Sequence, residues 1–276
     1  MEPLIEIEES KWPELRDLYE RDWPKNAVAF CVLDTNISYP DLRKTFNFKV
    51  YCPDGNLNNG MVATSDEGDY IRVHPLNVID TIENALATTK VIDWNKPVTV
   101  ASASPEVDEC FERLSVRLGL KVVGEKAFKH LLNRDSALLG NMYVPPNTYI
   151  AEPKSEHLDI IDKTWTYHGK NTIKYFEALA RNHLLFVLYT DEGNPLAWVT
   201  TDNDGHLSHL FCIEEQRRKG YAECILRYVT NKELRKGKNV LGYTLENNIK
   251  PKNLFDKLNF DRIGCDRWLL VQKIND

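Results

Sequence analysis

The stretch from residue 206 to residue 237 constrains the fold more than any other part of this chain, because it predicts a strand, a loop and a helix in immediate succession. Residues 206–213 have the apolar bias of a strand. After a polar loop, apolar side chains recur at the spacing of one helical face, at Ala222, Ile225, Leu226 and Val229. The first turn of a helix leaves N–H groups without partners and carries the positive end of the helix dipole. The segment therefore predicts an anion-binding turn near residue 220.

The loop before this helix combines positive charge with small residues. The residues concerned are Arg217, Arg218, Lys219, Gly220 and Ala222. A glycine has no Cβ, so a ligand can approach its backbone closely, and a phosphate or pyrophosphate suits such a turn. No Lys-Ser/Thr pair follows the glycine, and no GxGxxG opens an early strand, which disfavours the common nucleotide-binding loops. A solvated basic turn without a ligand is the alternative.

The rest of the chain predicts an α/β (α+β) fold. Upstream, helices are predicted at 14–20, 78–87 and 106–118, and strands at 27–33, 48–52, 70–73 and 97–103. Downstream, helices are predicted at 155–164 and 172–182, and strands at 149–151, 184–189, 196–201, 206–213, 240–245 and 268–271. The strongest turn signal in the chain is the run Pro145-Pro146-Asn147. It predicts an N-terminal α/β domain of residues 1–145 and a second domain of residues 146–276.

Composition excludes several classes of protein. The chain has 276 residues and 42% hydrophobic residues, which suits a folded core rather than a disordered chain. Its longest apolar run, Ala27–Leu33, is far shorter than the ~20 residues of a membrane helix. The net charge of −6 argues against nucleic acid as a partner. Neither the six cysteines nor the histidines have metal-ligand spacing, so no metal is expected. Unpaired cysteines and an acidic N-terminus predict a cytoplasmic protein, with mitochondrial import left open.

The order of these features resembles the GNAT superfamily of acyl-CoA-dependent N-acyltransferases, over about residues 148–272. The downstream helix keeps the family's pattern at Asn248, Leu254, Lys257 and Phe260, and departs from it at Pro251, Phe255 and Asn259. The resemblance implies a GNAT-like mixed, mostly antiparallel central sheet flanked by helices. The whole chain also resembles the glycine N-acyltransferase-like branch, including Tyr39-Pro40-Asp41-Leu42, which implies a degenerate GNAT-like N-terminal half before the catalytic half.

The resemblance also implies how a coenzyme would bind. The glycine loop would hold the pyrophosphate of coenzyme A, and the preceding strand would align the pantetheine arm. The implied acyl-CoA-binding residues are Leu210, Phe211, Cys212, Arg217, Arg218, Lys219, Gly220, Tyr221, Ala222, Asn248 and Phe255.

The catalytic residues implied by the resemblance are His206 and Ser208. Several branches of the family place a glutamate base near the start of this strand, and the matching position here is His206, whose imidazole can accept a proton at neutral pH. Ser208 shares its face by strand alternation and could orient a water. His209, which alternation puts on the opposite face, is the second candidate base, and Glu246 is the third.

The remaining roles stay open. The family's usual general acid is a tyrosine, and the matching position here is Phe255. Either the thiolate leaves without a side-chain acid, or Tyr221 or Tyr243 acts as the general acid. Cys212 is a packing residue rather than a nucleophile, because no base is adjacent to it. Two tryptophans, Trp165 and Trp198, either line an acyl or acceptor pocket or belong to the core.

The predicted function is transfer of an acyl group from acyl-CoA to a small amine or an amino acid such as glycine. A protein or peptide N-acetyltransferase is the second possibility, and a CoA-binding module without catalysis is the third. Acyl-CoA and the amine are the expected partners, with no membrane partner. The acyl chain length and the oligomeric state are left open.

Overall fold

The structure is a computed structural model that describes residues 1–140, 142–170 and 172–274. Its strands are β1 (Leu4–Glu6), β2 (Lys49–Pro53), β3 (Met61–Ser65), β4 (Tyr70–His74), β5 (Val98–Ala103), β6 (Leu120–Leu132), β7 (Thr148–Ala151), β8 (Leu185–Thr190), β9 (Pro195–Thr201), β10 (His206–Cys212), β11 (Val240–Leu245) and β12 (Asp261–Lys273). Its helices are α1 (Trp12–Glu20), α2 (Ala27–Ser38), α3 (Pro40–Thr45), α4 (Ile79–Thr88), α5 (Pro105–Leu118), α6 (Leu158–Lys163), α7 (Thr172–Arg181), α8 (Tyr221–Arg235) and α9 (Ile249–Lys257).

The chain forms two compact units that are not continuous in sequence. The first contains residues 1–129, 244–247 and 263–274, and the second contains residues 130–243 and 248–262. Strands β6, β11 and β12 therefore each contribute residues to both units. The boundary between the two units at residues 129 and 130 lies inside β6. The domain boundary that the sequence predicts at residue 145 stays a prediction.

The first unit is a sheet covered by helices. Its strands follow the order β1-β2-β3-β4-β5-β12-β6. The pairs from β1 to β4 are antiparallel, β4 and β5 are parallel, and β5 and β12 are antiparallel. Helices α4 and α5 bury Ile82 and Phe111 against the sheet residues Ile71 and Val100. This amphipathic spacing is what the sequence predicts for both helices.

The strand predicted at residues 27–33 is wrong, because this segment begins helix α2. Every residue from Ala27 to Leu33 is buried, so the apolar run shows no face from which a helical period could be recognised. A fully buried helix and a fully buried strand give the same uninterrupted apolar pattern. The helix continues through the polar residues up to Ser38, which gives it a length that is unusual for a strand.

The second unit is built on a meander. Strands β7, β8, β9 and β10 pair antiparallel in sequence order, and β10 then pairs in parallel with β11. One face of this sheet packs against α8 and α9, through Leu226 and Phe255 among others. On α6 and α7, the side chains of Ile161 and Phe176 are fully buried. The fold confirms the predicted class, a mixed and mostly antiparallel sheet flanked by helices.

Both units contain the same strand–helix–strand arrangement. In the first, α4 connects the parallel strands β4 and β5, and in the second, α8 connects the parallel strands β10 and β11. In each unit the first strand of the pair is also antiparallel to the strand before it. The sequence shows no internal repeat, but the topology shows two related halves, as the resemblance implies.

Across residues 1–140, 142–170 and 172–274, the structure contains no helix with the length and apolar character needed to cross a bilayer.

Candidate functional site

Strand β10 leaves its parallel neighbour and bulges at the same place. It pairs with β11 at His206 and Leu207, and the described residues show no β11 partner after that. Against β9, Ser208 lies opposite Thr200 and Phe211 opposite Trp198, so two residues of β10 face one residue of β9. This is a β-bulge, which bends a strand away from its neighbour. The sheet therefore opens between β10 and β11 beyond Leu207, and backbone groups of β10 become available to a ligand.

The loop after β10 presents a row of free amides. Helix α8 begins at Tyr221, and its first bond runs from Cys224 N to Gly220 O, at 2.9 Å. Within the described chain, the N–H groups of residues 218–222 have no hydrogen-bond acceptor. A fifteen-residue helix behind them adds the positive end of its dipole. Free amides and a dipole together form a binding site for an anionic group such as a phosphate.

Gly220 keeps the space in front of these amides open. Its φ is +81°, in the left-handed region that side chains disfavour, and Arg218 also has a positive φ of 67°. A Cβ built on Gly220 would meet no atom within 4 Å. A concave turn with inward amides is the backbone arrangement that binds phosphates in proteins. These observations fit a pyrophosphate at the position that the sequence predicts.

The three cations of the loop differ in their partners. Arg217 folds back on β10, where its Nε donates to Cys212 O at 3.2 Å and its Nη1 lies 3.1 Å from Glu214 Oε1. Lys219 Nζ donates to Gln216 Oε1 at 2.7 Å. Arg218 is exposed and has no ion pair among the described residues, so its charge is available to a ligand.

The residues predicted to bind the pantetheine arm lie on the opened part of β10. Leu210 and Cys212 are half-buried and pack toward α8, while Phe211 stacks on Trp198 with ring centroids 4.8 Å apart. Burial raises the pKa of the Cys212 thiol against the opposing charges of Arg217 and Lys219, and the thiol lies 3.6 Å from Ile213 O. A protonated thiol is a poor nucleophile, which agrees with a packing role.

His206 lies in the closed part of the sheet. It is only 3% exposed and sits opposite Leu241 of β11. Its Nδ1 lies 4.0 Å from Asp202 Oδ2, and its ring meets Tyr243 edge-on with centroids 5.2 Å apart. The hydroxyl of Ser208 makes no hydrogen bond among the described residues, and the backbone oxygen of Ser208 accepts from Thr200 Oγ1 at 2.9 Å. The structure thus places His206 among buried side chains and Ser208 at the start of the opening.

His209 does not follow the alternation that the sequence suggests. The bulge gives it a φ of +48° and places its ring among the aromatic side chains beside α6 and α7. The ring centroid lies 5.4 Å from Phe176 and 6.1 Å from both Trp198 and Phe211. Two polar residues between Leu207 and Leu210 interrupt the apolar alternation, and this interruption is the signal that could have predicted the bulge.

Three other candidates lie outside strand β10. Asn248 precedes α9 and its side chain does not cap the helix. Glu246 forms an ion pair with Lys126 at 3.8 Å. Tyr221 is half-buried and packs against the core of the second unit.

Phe255 is 4% exposed, and its ring stacks on His130 with centroids 4.7 Å apart. His130 was not singled out from the sequence, because one histidine within a long strand gives no recognisable signal. Burial lowers the pKa of His130 to about 4, so its ring is neutral at pH 7.

An aromatic cluster forms beside the bulge and includes the two tryptophans considered from the sequence. Trp165 stacks on Tyr175 with centroids 5.3 Å apart and meets Phe176 edge-on at 5.4 Å. Trp198 is fully buried, and Trp165 is half-buried. The carboxylate of Asp162, 4% exposed, accepts from the Thr172 hydroxyl and lies 3.1 Å from His168 Nδ1.

Comparison with known proteins gives one partial family match and several structures of similar fold. A family model described as FR47-like protein matches residues 187–269. Among solved structures, a Drosophila protein from a structural genomics consortium has a TM-score of 0.87 at 15% identity, covering 98% of both chains. A tandem GNAT protein from the clavulanic acid biosynthesis pathway has a TM-score of 0.58 at 13% identity, covering 99% of both chains. A GNAT-family acetyltransferase from Colwellia psychrerythraea has a TM-score of 0.52 at 14% identity, covering 98% of this chain and 99% of that one.

At these identities the likeness to solved structures concerns the fold. The alignment with the tandem protein spans nearly the whole chain, which agrees with two GNAT-like halves in succession. The FR47-like match begins in β8 and ends in β12, and it contains the bulge, the glycine loop and α9.

Proposed function

We propose that this chain binds an acyl-CoA in its second unit and transfers the acyl group to an amine. The observation that carries the proposal is the row of free amides at residues 218–222, which begins helix α8 beside open space at Gly220. A pyrophosphate fits these amides, and an extended arm fits the opening between β10 and β11. The FR47-like match and the GNAT-like fold support the same activity.

The acceptor we propose is a small amine or an amino acid such as glycine, as the glycine N-acyltransferase-like resemblance implies. The amine nitrogen attacks the thioester carbonyl carbon, the carbon–sulfur bond breaks, and the proton lost by nitrogen ends on the coenzyme's sulfur. The chain's contribution is to hold the two reactants together and to accept that proton. A cytoplasmic location accompanies this proposal as a prediction from the sequence.

A CoA-binding module without catalysis is the second candidate, and one observation favours it. Phe255, at the position of the family's usual acid, carries no proton and is buried at 4% exposure. The two candidates both require coenzyme binding, and they differ in whether coenzyme A is released as a free thiol.

Calorimetric titration with acetyl-CoA tests the coenzyme site, with two glycine variants as a matched pair. Gly220 and Gly237 lie at opposite ends of α8, have φ of +81° and +71°, and would both place a Cβ in open space. Gly220→Val should weaken binding at least about tenfold, because the side chain fills the approach to amides whose hydrogen bonds to a charged group contribute about 1.5–3 kcal/mol. Gly237→Val carries the same backbone strain and should bind like the wild type.

Thiol release then separates the enzyme from the binding module. The wild type is mixed with acetyl-CoA and longer acyl-CoAs, together with glycine, other amino acids, simple amines or lysine peptides, and free thiol is measured with a chromogenic reagent. Amine-dependent release supports the transferase, and the amine that gives it identifies the acceptor class. Tight binding of acetyl-CoA without thiol release on any amine supports the CoA-binding module. Equal acetyl-CoA affinity of Gly220→Val and the wild type contradicts the proposed coenzyme site.

A further inference from the structure

We infer that His209, rather than His206, is the group that accepts the proton of the attacking amine, at its Nδ1 atom. The inference rests on the proposed function, and it concerns which residue acts in that reaction. Four observations carry it: the position of His209 on β10, its anchoring through Nε2, the absence of partners at Nδ1 among the described residues, and the apolar surroundings of the ring.

The position of His209 puts it at the opening of the sheet. The parallel pairing of β10 with β11 ends at Leu207, and His209 is the second residue beyond it. Its left-handed backbone, with φ of +48°, is uncommon for a residue with a side chain and costs on the order of 1 kcal/mol or more. Such conformations persist where the surrounding structure requires a particular side-chain direction. His206, by contrast, lies where the two strands are still paired.

The ring of His209 is held by its Nε2 atom. That atom lies 2.7 Å from the carbonyl oxygen of Ile161 and 3.0 Å from the indole Nε1 of Trp198. A neutral ring nitrogen carries either one hydrogen or one lone pair, so only one of these contacts can be a hydrogen bond at a time. The carbonyl oxygen can only accept and the indole N–H can only donate, so the two contacts require opposite tautomers. We assign the hydrogen to Nε2 because its contact with Ile161 O is the shorter of the two.

This arrangement leaves the lone pair of His209 on Nδ1. Among the described residues, no hydrogen bond or ion pair reaches that atom. When Nδ1 takes a proton, the Nε2–H bond to Ile161 O is retained and the buried carboxylate of Asp162 offsets the new positive charge. A base oriented through its second nitrogen in this way is the arrangement that fixes the tautomer of catalytic histidines.

The aromatic surroundings keep this base in its neutral form. Trp198, Phe176 and Phe211 contact the ring, and burial lowers the pKa of His209 to about 4, against the opposing influence of Ile161 O and Asp162. At pH 7 the lone pair is therefore present in nearly every molecule. Attack by the amine makes its nitrogen cationic, the N–H proton passes to Nδ1, and the imidazolium returns the proton to the departing thiolate as the carbon–sulfur bond breaks.

Two substitutions at position 209 preserve the backbone and remove the base. Asparagine and glycine both tolerate a positive φ, so His209→Asn and His209→Gly keep the bulge accessible. His183 provides a matched control, since it also has a positive φ, of 57°, and its side chain is 66% exposed and pairs with Glu152. His206→Asn tests the rival assignment under the same conditions.

The kinetic result expected is a loss of turnover without a loss of coenzyme binding. His209→Asn should lower kcat about a hundredfold or more, the range for removal of a general base, with unchanged acetyl-CoA affinity. Added imidazole should restore part of the turnover of His209→Gly, which a merely structural role would not allow. His183→Asn should match the wild type. Near-normal kcat in His209→Asn, loss confined to His206→Asn, or absence of imidazole rescue each overturns the inference.

A measurement that does not depend on activity separates this inference from the proposed function. Nitrogen-15 spectra of the histidine rings at pH 7, assigned by the signals missing in His209→Asn, should show hydrogen on Nε2 and a bare Nδ1. The opposite tautomer overturns the role of His209 even if the wild type is an active transferase. A wild type that binds no coenzyme and releases no thiol instead overturns the proposed function, whatever the tautomer.

Discussion

The contact between Phe255 and Gly242 explains why this position has no hydroxyl. A Cβ on Gly242 would lie 2.5 Å from Phe255 Cζ and 2.8 Å from Cε1, so the end of the ring faces the backbone of β11. The ring cannot turn away, because it stacks on His130 and meets Phe260 edge-on at 4.8 Å. A tyrosine hydroxyl would extend from the same Cζ into β11. Phenylalanine therefore fills a space that leaves no room for a phenolic oxygen.

Gly242→Ala should destabilise the protein through this contact. Overpacking of a core costs about 1–3 kcal/mol, and the neighbouring ring has little freedom to move. Urea unfolding should show a lower midpoint with an unchanged slope. Gly169→Ala is the control, because a Cβ there meets no atom within 4 Å and its φ is not in the left-handed region.

A second substitution shows whether the ring is the cause. In a Phe255→Leu background, the six-membered ring is gone and the added methyl of Gly242→Ala has room. The cost of Gly242→Ala should therefore fall by more than half in that background. An equal cost with and without the ring would mean that Phe255 is not what limits this position.

At the scale of elements, the sequence predicts those helices and strands whose apolar residues follow a recognisable pattern. Helices α5 and α8 lie within a few residues of their predicted bounds, because apolar side chains recur along one face of each. Strands β8 and β9 of the meander are buried on both faces, and the sequence shows them as short apolar runs bounded by turn residues. Helix α2 is missed because it is buried all round. The glycine loop can be recognised from the sequence because its charged residues, its glycine and the helix that follows it are adjacent in the chain.

The bulge in β10 shows the limit of that reasoning. The interrupted alternation at Ser208 and His209 is a signal for a bulge, but the residues of β10 do not state where its pairing with β11 ends. Strict alternation does not describe the strand at His209, and the grouping of His209 with Trp165, Phe176 and Ile161 depends on the positions of α6 and α7. The glycine loop, which we propose binds the pyrophosphate, could be recognised from sequence, whereas the surroundings of His209 could not.

Helix α8 also holds a segment that precedes the meander. Asn231, 1% exposed, accepts from Leu139 N at 2.7 Å and donates to Leu139 O at 2.9 Å. Arg227 Nη1 donates to Gly140 O at 3.2 Å, one helical turn away. Both backbone groups of one residue thus depend on one amide side chain, which makes this clamp sensitive to substitution.

Asn231→Leu should release residues 136–140 from the helix. Leucine has a similar size but cannot bond, and each buried group left without a partner costs about 1–3 kcal/mol. Hydrogen exchange of the Leu139 amide should accelerate at least about tenfold, more than exchange in the centre of β8. Asn253→Leu, on the exposed side of α9, is the control. Unchanged protection of Leu139 would show that packing alone holds the segment.

At the scale of the molecule, the two halves share a topology but not a binding loop. In the first unit, the connection from β4 to α4 runs through Pro75 and contains no glycine, and proline has no N–H to offer. Gly60 packs directly on it, since a Cβ there would lie 2.7 Å from Leu76 N and 2.8 Å from Pro75 Cα. Tyr19 also donates its hydroxyl to His74 O, at 2.6 Å. The chain itself occupies the place that corresponds to the open turn at Gly220.

One coenzyme should therefore bind per chain, although the fold is duplicated. Calorimetric titration of the wild type with acetyl-CoA should give a stoichiometry of one, because the turn before α4 contains Pro75 and is covered by Gly60, whereas the turn before α8 has open space at Gly220. Gly220→Val should then remove the whole signal rather than half of it, which distinguishes one site from two even if the active fraction of the preparation is uncertain. Two equivalents bound, or half of the heat remaining in Gly220→Val, would mean that the first unit retains a coenzyme site despite its filled connection.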